Sequence, residues 1–417
     1  MNKMSAEDKV PAIRFKGFSG EWEEKALGDV TNVYDGTHQT PKYTSSGVMF
    51  LSVENIKTLK SEKFISKNSF EKEFKVFPKK NDVLMTRIGD VGTANVVESD
   101  APKAYYVTLA LLKYKELDPY FLKNSIGSNK VRKDIWHRTL HIAFPKKINM
   151  NEIAKVMIPK PTEEDEQTKI GNYFQQLDTL IAQHQQKHDK LLNLKKSLFE
   201  KMFPKQGATL PEIRFKGFSG EWEERKLLKN FENIIDFRGR TPKKLGLGWS
   251  ETGYLALSAL NVKNGFIDFN TDANFGGQEL YDKWMSGNEL HKNQVLFTTE
   301  APMGNVAQIP DNNKYILSQR TIAFEVNTKL IEENFLAVML GAPSLQTKFV
   351  SLSSGGTAQG VSQKSLASVD VIIPKNITEQ TEIGNFFKSL DTLLNQHQAQ
   401  LKKLNNIKQA CLEKMFV

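Results

Sequence analysis

Arg238, Arg240, Lys243 and Lys244 crowd into DFRGRTPKK (236–244), a loop-forming stretch punctuated by Gly, Thr and Pro. Guanidinium and ammonium groups at this density suit a polyanion, because displacing its counterions supplies sequence-independent affinity. The basic excess is uneven along the chain. Residues 25–150 hold 21 Lys and Arg against 13 Asp and Glu, a net of +8; residues 225–370 hold 15 against 14, a net of +1. The first region is basic throughout, the second only at its cluster. A coiled-coil adaptor with no polyanion partner would have no use for such a cluster.

Catalytic chemistry leaves no comparable mark. There is no G-x-x-x-x-G-K-[ST] phosphate loop, no G-x-G-x-x-G after a strand, no H-E-x-x-H pair and no Asn-Pro-Pro-aromatic motif. Acidic and basic side chains are plentiful, but no constellation singles out an acid–base pair. The lone Cys411 excludes an intramolecular disulfide and a thiolate zinc cluster. No segment approaches the ~20 apolar residues of a membrane span, and the opening MNKMSAEDKV lacks a signal-peptide core. A soluble, cytoplasmic protein without a membrane partner is expected.

The elements that carry these residues are duplicated. PAIRFKGFSGEWEEKAL (11–27) returns as PEIRFKGFSGEWEERKL (211–227), and KIGNYFQQLDTLI (169–181) returns as EIGNFFKSLDTLL (382–394). Both copies run on to EKMF, at 200–203 and 413–416, while 28–155 and 228–370 share only fragments. Constant frames around divergent inserts predict two equivalent modules that read different things. The division is 1–160, a first module; 161–203, a central helix; 204–375, a second module; and 376–417, a C-terminal helix.

Steps of four and three from Ile170 give Phe174, Leu177, Ile181, His184, His188, Leu191, Lys195, Leu198 and Met202. The walk from Ile383 gives Phe387, Leu390, Leu394, His397, Leu401, Leu404, Lys408, Cys411 and Met415. These are apolar seams of 3.5-residue period on helices of about 33 residues. They predict an antiparallel pairing, with His184 and His397 setting register, and Leu194 and Ile407 marking a drift of the stripe.

The modules read as short strands, turns and a few helices, an α+β class. NDVLMTRIGDVGTANVV (81–97) aligns with NQVLFTTEAPMGNVAQI (293–309), and DGTHQTPK (35–42) with DFRGRTPK (236–243). YVTLALLKY (106–114) and ILSQRTIAFEV (316–326) are strand-like. Trp22 and Trp222 are expected as core anchors, and Thr40-Pro41 and Thr241-Pro242 as turn formers.

Taken together, the IRFKGFSGEWEE openings (13–24 and 213–224), the GRTPK-like loop, the DVLMTR and QVLFTT strands and the IPK-to-EKMF helical ends resemble the DNA specificity subunits of type I restriction-modification systems. That resemblance spans essentially the whole chain. It implies two target-recognition domains, each reading half of a split double-stranded DNA site, with two antiparallel helices as spacer. It implies docking of two methyltransferase subunits, then of motor-nuclease subunits, with S-adenosylmethionine, ATP and magnesium on those partners and no cofactor on this chain. The runner-up is a stand-alone DNA-modifying or DNA-cleaving enzyme.

Base identity is read at groove edges while cations on phosphates set register. The candidate contacts in the first module are Thr37, His38, Gln39, Lys42 and Arg87, with Arg132, Lys133 and Arg138 in VRKDIWHR. In the second they are Arg238, Arg240, Lys243, Lys244, Gln319, Arg320 and Gln359. DGTHQTPK lacks the paired arginines of DFRGRTPK, so the two loops need not make equivalent contacts.

Overall fold

The structure is a computed structural model that describes residues 9–205, 207–353 and 360–417. It contains two compact units. One runs to Gln185 and takes in Ala399–Val417; the other is Gln186–Gln398. Both breaks fall inside long helices rather than at the module boundaries read from the sequence. Helix α1 is Glu164–Met202 and α2 is Ile377–Lys414, of 39 and 38 residues. They exceed the length read from the seams because their first turns are polar. Glu164, Asp165 and Glu166 open α1, where carboxylates meet the positive end of the helix dipole. The side chain of Asn376 accepts the Thr378 N–H at 2.8 Å and starts α2.

Each unit is built on a four-stranded antiparallel sheet. In the first, Asn32–Asp35, Leu109–Lys113, Val83–Thr86 and Ala94–Val96 lie in that spatial order. In the second, Phe231–Asp236, Thr321–Val326, Val295–Thr298 and Val306–Gln308 repeat it. Successive side chains point to opposite faces, so central strands that are apolar throughout bury both. Val83, Met85, Ala110 and Leu112 enter one core with Leu122 and Ile126 of the helix Pro119–Gly127 and Val131 and Ile135 of Asn129–Arg138. Leu84, Leu109 and Leu111 enter another with Phe50, Ile65 and Tyr105. In the second unit Val295, Phe297, Ile322 and Phe324 face one core, and Leu296, Ala323 and Trp284 belong to the other.

The repeated openings lock each frame. Arg14 places Nε and Nη2 at 2.6 and 2.7 Å from the Glu166 carboxylate, and Nη1 at 2.6 Å from the Gly20 carbonyl. Arg214 meets Glu379 at 2.6 and 2.7 Å and the Gly220 carbonyl at 2.6 Å. Glu166 and Glu379 are buried, as are Trp22 and Trp222. The Ile13 N–H donates to the Lys414 carbonyl, and the Ile213 N–H to that of Lys201, each at 2.9 Å. Each opening therefore holds the first turn of one long helix and the last turn of the other. Each variable region is closed by a strand pair, Glu23–Ala26 with Met157–Lys160 and Glu223–Lys226 with Asp370–Ile373.

Within each unit α1 and α2 run antiparallel. In the first, Phe174 packs on Phe416 with centroids 5.8 Å apart, and Asp178 accepts Lys408 at 2.5 Å. In the second, Phe199 packs on Phe387 at 4.5 Å and Lys195 pairs with Asp391. Every residue of both seam walks is buried or half-buried. The two seam lysines fit because each meets an aspartate on the facing helix. Burial raises the Asp178 carboxyl, but the ammonium groups of Lys123 and Lys408 outweigh it and hold it below its usual range. The expected drift fails at Leu194, which is exposed, since Lys195 keeps its stem in the seam; Ile407 does pack there.

A buried carboxylate stripped of its cation is costly, whereas replacing both partners with apolar groups is often neutral. Arg14→Ala should cost ~3–5 kcal/mol in urea unfolding, and Arg14→Met with Glu166→Met should recover most of it. A single variant that unfolds like the parent would contradict this account.

Candidate nucleic-acid interface

One aspartate organises the loop that follows the first sheet strand of each unit. In the first unit the strand Asn32–Asp35 ends on Asp35, whose carboxylate takes the Arg87 Nη1 at 2.5 Å, the Gly36 N–H at 2.9 Å and the His38 Nε2 at 3.0 Å. The Tyr105 hydroxyl donates to the Asp35 carbonyl at 2.9 Å, and burial pushes that phenol's pKa up, so it remains a donor. Gly36 passes so close to the next strand that a Cβ would lie 2.5 Å from the Tyr106 carbonyl, and only glycine fits.

Arg87 is therefore a brace and not an exposed contact. Its guanidinium is buried, tied to Asp35 and to the Ile148 carbonyl at 3.2 Å. Thr37 is half-buried: its N–H donates to the Tyr105 carbonyl at 3.1 Å and its hydroxyl accepts the Gln39 N–H at 3.3 Å. His38, Gln39 and Lys42 stand exposed on the loop these bonds define. On the helix Asn129–Arg138, Arg132 and Lys133 are exposed. Arg138 is instead spent on Asp134 at 2.9 Å and Glu152 at 3.3 Å, fixing the helix. Trp136, 54 % exposed with the Lys146 ammonium 4.5 Å from its ring centre, is a candidate that the sequence pattern did not single out. Beside it Gly89, Asp90, Arg132 and Lys146 line a cleft of about 200 Å³.

In the second unit Asp236 stands where Asp35 does, but its donors differ. Arg238 gives it Nε and Nη2 at 2.8 and 2.5 Å, and Gln363 its Nε2 at 2.9 Å. In the aligned fragments Thr299 takes the place of Arg87, so the acid is neutralised from within its own loop. Arg240 lies 4.4 Å over the Phe237 ring and donates to the Trp284 carbonyl, while the Gln319 amide donates to the Arg240 carbonyl. Arg240 and Gln319 thus hold the loop together, contrary to the expectation of outward contacts. Thr241 accepts the Lys244 N–H at 3.3 Å and caps the short helix Pro242–Leu245, as a turn former should.

Lys243 and Lys244 are exposed on that helix, Lys244 donating to the Gly239 carbonyl at 2.6 Å. Arg320, 3.5 Å from Glu300, is exposed at the rim of a cleft of about 260 Å³ that Ser258, Asp272, Asn274 and Ser318 also line. Asp272 and Asn274 lie outside the fragments the two modules share, and so carry no signal in the sequence. Gln359 lies outside the described residues. Among the described residues no group of three or more His, Cys, Asp or Glu is placed to hold a metal ion. No single helix among them is long and apolar enough to cross a membrane.

A duplicated α+β protein with paired long helices and a loop-bearing sheet in each repeat is the class this fold defines. A sequence profile of the type I restriction modification DNA specificity domain matches residues 19–193 and again 220–406. The chain belongs to that family and carries its domain twice. Among solved structures it shares its fold with a type I restriction-modification S subunit from M. genitalium, at a TM-score of 0.63 and 15% identity over 98% of this chain and 99% of that one. An HsdS subunit from Thermoanaerobacter tengcongensis aligns at 0.40 and 15% over 95% and 96%. A chain from a study of type I R-M complex assembly and conformational transition aligns at 0.45 and 14% over 94% and 96%.

The geometry separates two kinds of arginine. Arg240→Ala should lower the melting temperature, because it removes both the stack on Phe237 and the bond to the Trp284 carbonyl. Arg132→Ala with Lys133→Ala should leave melting unchanged while weakening DNA binding and reducing the salt slope by about 1 for each phosphate no longer held. A doubly substituted protein with parental affinity and slope would exclude that helix from the interface.

Proposed function

We propose that this chain is the recognition subunit of a type I restriction-modification complex. Each unit reads one half of a two-part double-stranded DNA target. The observation that carries this reading is the pairing of one repeated frame with two different loops on Asp35 and Asp236. A single shared ligand would favour identical loops; two half-sites of different sequence favour divergent ones. Exposed Lys42, Arg132, Lys133, Lys243 and Lys244 are suited to phosphates and to setting register. His38, Gln39 and Arg320, on loop tips, are suited to base edges.

In this reading the chain is non-catalytic. Two methyltransferase subunits dock on it and supply S-adenosylmethionine, and motor-nuclease subunits bring ATP and magnesium. The repeated openings and long helices, common to both halves, are the natural seats for two copies of one partner.

The test is methyl transfer from labelled S-adenosylmethionine to plasmid DNA. The purified chain alone should transfer nothing. With its methyltransferase subunits, adenines should be methylated only within a two-part target. Methyl transfer or cleavage by the rigorously purified single chain would replace this reading with a stand-alone enzyme.

A further inference from the structure

In the first unit a short loop stands out from the frame. Leu140 and Lys147 pair across its base, with the Leu140 N–H donating to the Lys147 carbonyl at 2.8 Å. The Gly89 N–H donates to the Lys146 carbonyl at 2.8 Å, and the His141 Nε2 lies 2.9 Å from the Trp136 carbonyl with the two rings 4.0 Å apart. The base is held from both sides, yet the tip is bare. Ile142 is 100% and Phe144 104% exposed, while every other large apolar side chain among the described residues is 55% exposed or less.

The collar around this tip is cationic. Of the six Lys and Arg in residues 130–147, Lys130 pairs with Glu24 and Arg138 with Asp134 and Glu152, while Arg132, Lys133, Lys146 and Lys147 are exposed and make the collar. A bare aromatic tip in a basic collar fits a partner with phosphates outside and a stacked apolar interior, which is duplex DNA. The collar's charge disfavours a basic protein surface. The base of the loop bridges Ile88, next to Arg87, so the residue that braces the Asp35 loop also sets the direction of this one.

We propose that Phe144, with Ile142 beside it, is a wedge that enters between stacked base pairs of DNA bound to the first unit. Arg132, Lys133 and Lys146 hold phosphates on either side of the opened step. Apolar side chains used in this way unstack a step and bend the duplex, so that more of the protein meets DNA. The proposal rests on the DNA-recognition reading above and adds to it a contact that depends on a step's deformability rather than on hydrogen bonds to base edges.

The test uses the chain assembled with its methyltransferase subunits and duplexes carrying its mapped target, with 2-aminopurine placed at one position at a time. The parent complex should brighten at one step distinct from the methylated adenine. Ile142→Ala with Phe144→Ala should abolish that signal and weaken target binding roughly tenfold. Both side chains are fully exposed, so their removal should leave melting unchanged, and Phe144→Trp should keep the signal. A double variant that binds with parental affinity, or a parent complex with no such step, overturns the wedge while leaving DNA recognition standing. Loss of methyltransferase assembly with DNA affinity intact overturns it in favour of a protein contact. A parent complex that ignores its mapped target overturns the DNA reading itself.

Discussion

A carboxylate buried in the first turn of a long helix cannot stand without a cation, and this constraint appears twice. Glu166 and Glu379 are each met by two nitrogens of one arginine from a repeated opening peptide. Because that arginine also binds the Gly20 or Gly220 carbonyl, the pair fixes the opening, the turn behind it and the helix start together. The adjacent Ile13 and Ile213 N–H groups close the end of the other long helix in the same unit. The cost of breaking such a pair accounts for why the copies agree at their ends and diverge between them.

What diverges is the wiring of one acid. Asp35 is neutralised by Arg87 from the end of the strand Val83–Thr86, two strands away in the sheet, and Asp236 by Arg238 from its own loop and by Gln363. Both solutions leave the strand and the sheet order intact. Exposed loop residues beyond the acid, such as Gln39, Lys42 and Lys243, can then vary without disturbing the frame. In a DNA specificity domain that separation lets recognition change without refolding.

Much of the frame was legible in the sequence. The 3.5-residue seams named the buried face of both helices, including lysines that proved to be ion-paired, because periodicity reports burial directly. The strand-like runs 106–114 and 316–326 named the strands Leu109–Lys113 and Thr321–Val326 but not the turn that splits the second run and sends Ile316–Leu317 to another sheet, and the shared openings named the duplication. The candidate contacts were less legible. Residue type alone cannot tell an arginine that faces solvent from one that braces a loop: Arg87 and Arg240 are held by partners far away in sequence, and Arg138 by Asp134 and Glu152. The compact units are not written in the sequence, because each takes part of both helices and sequence order does not reveal which parts pack together.

In the proposed function the two units read independently. The segment 225–370 is suited to the test, because its ends meet in one strand pair, Arg225 with Val371 and Lys226 with Asp370. Replacing it with the matching segment of a related subunit should preserve the frame. Methylation mapping of the assembled chimera on randomised DNA is the measurement. One half-site should change and the other, with the spacing between them, should not. A chimera that folds and assembles yet changes both half-sites together would contradict independent reading.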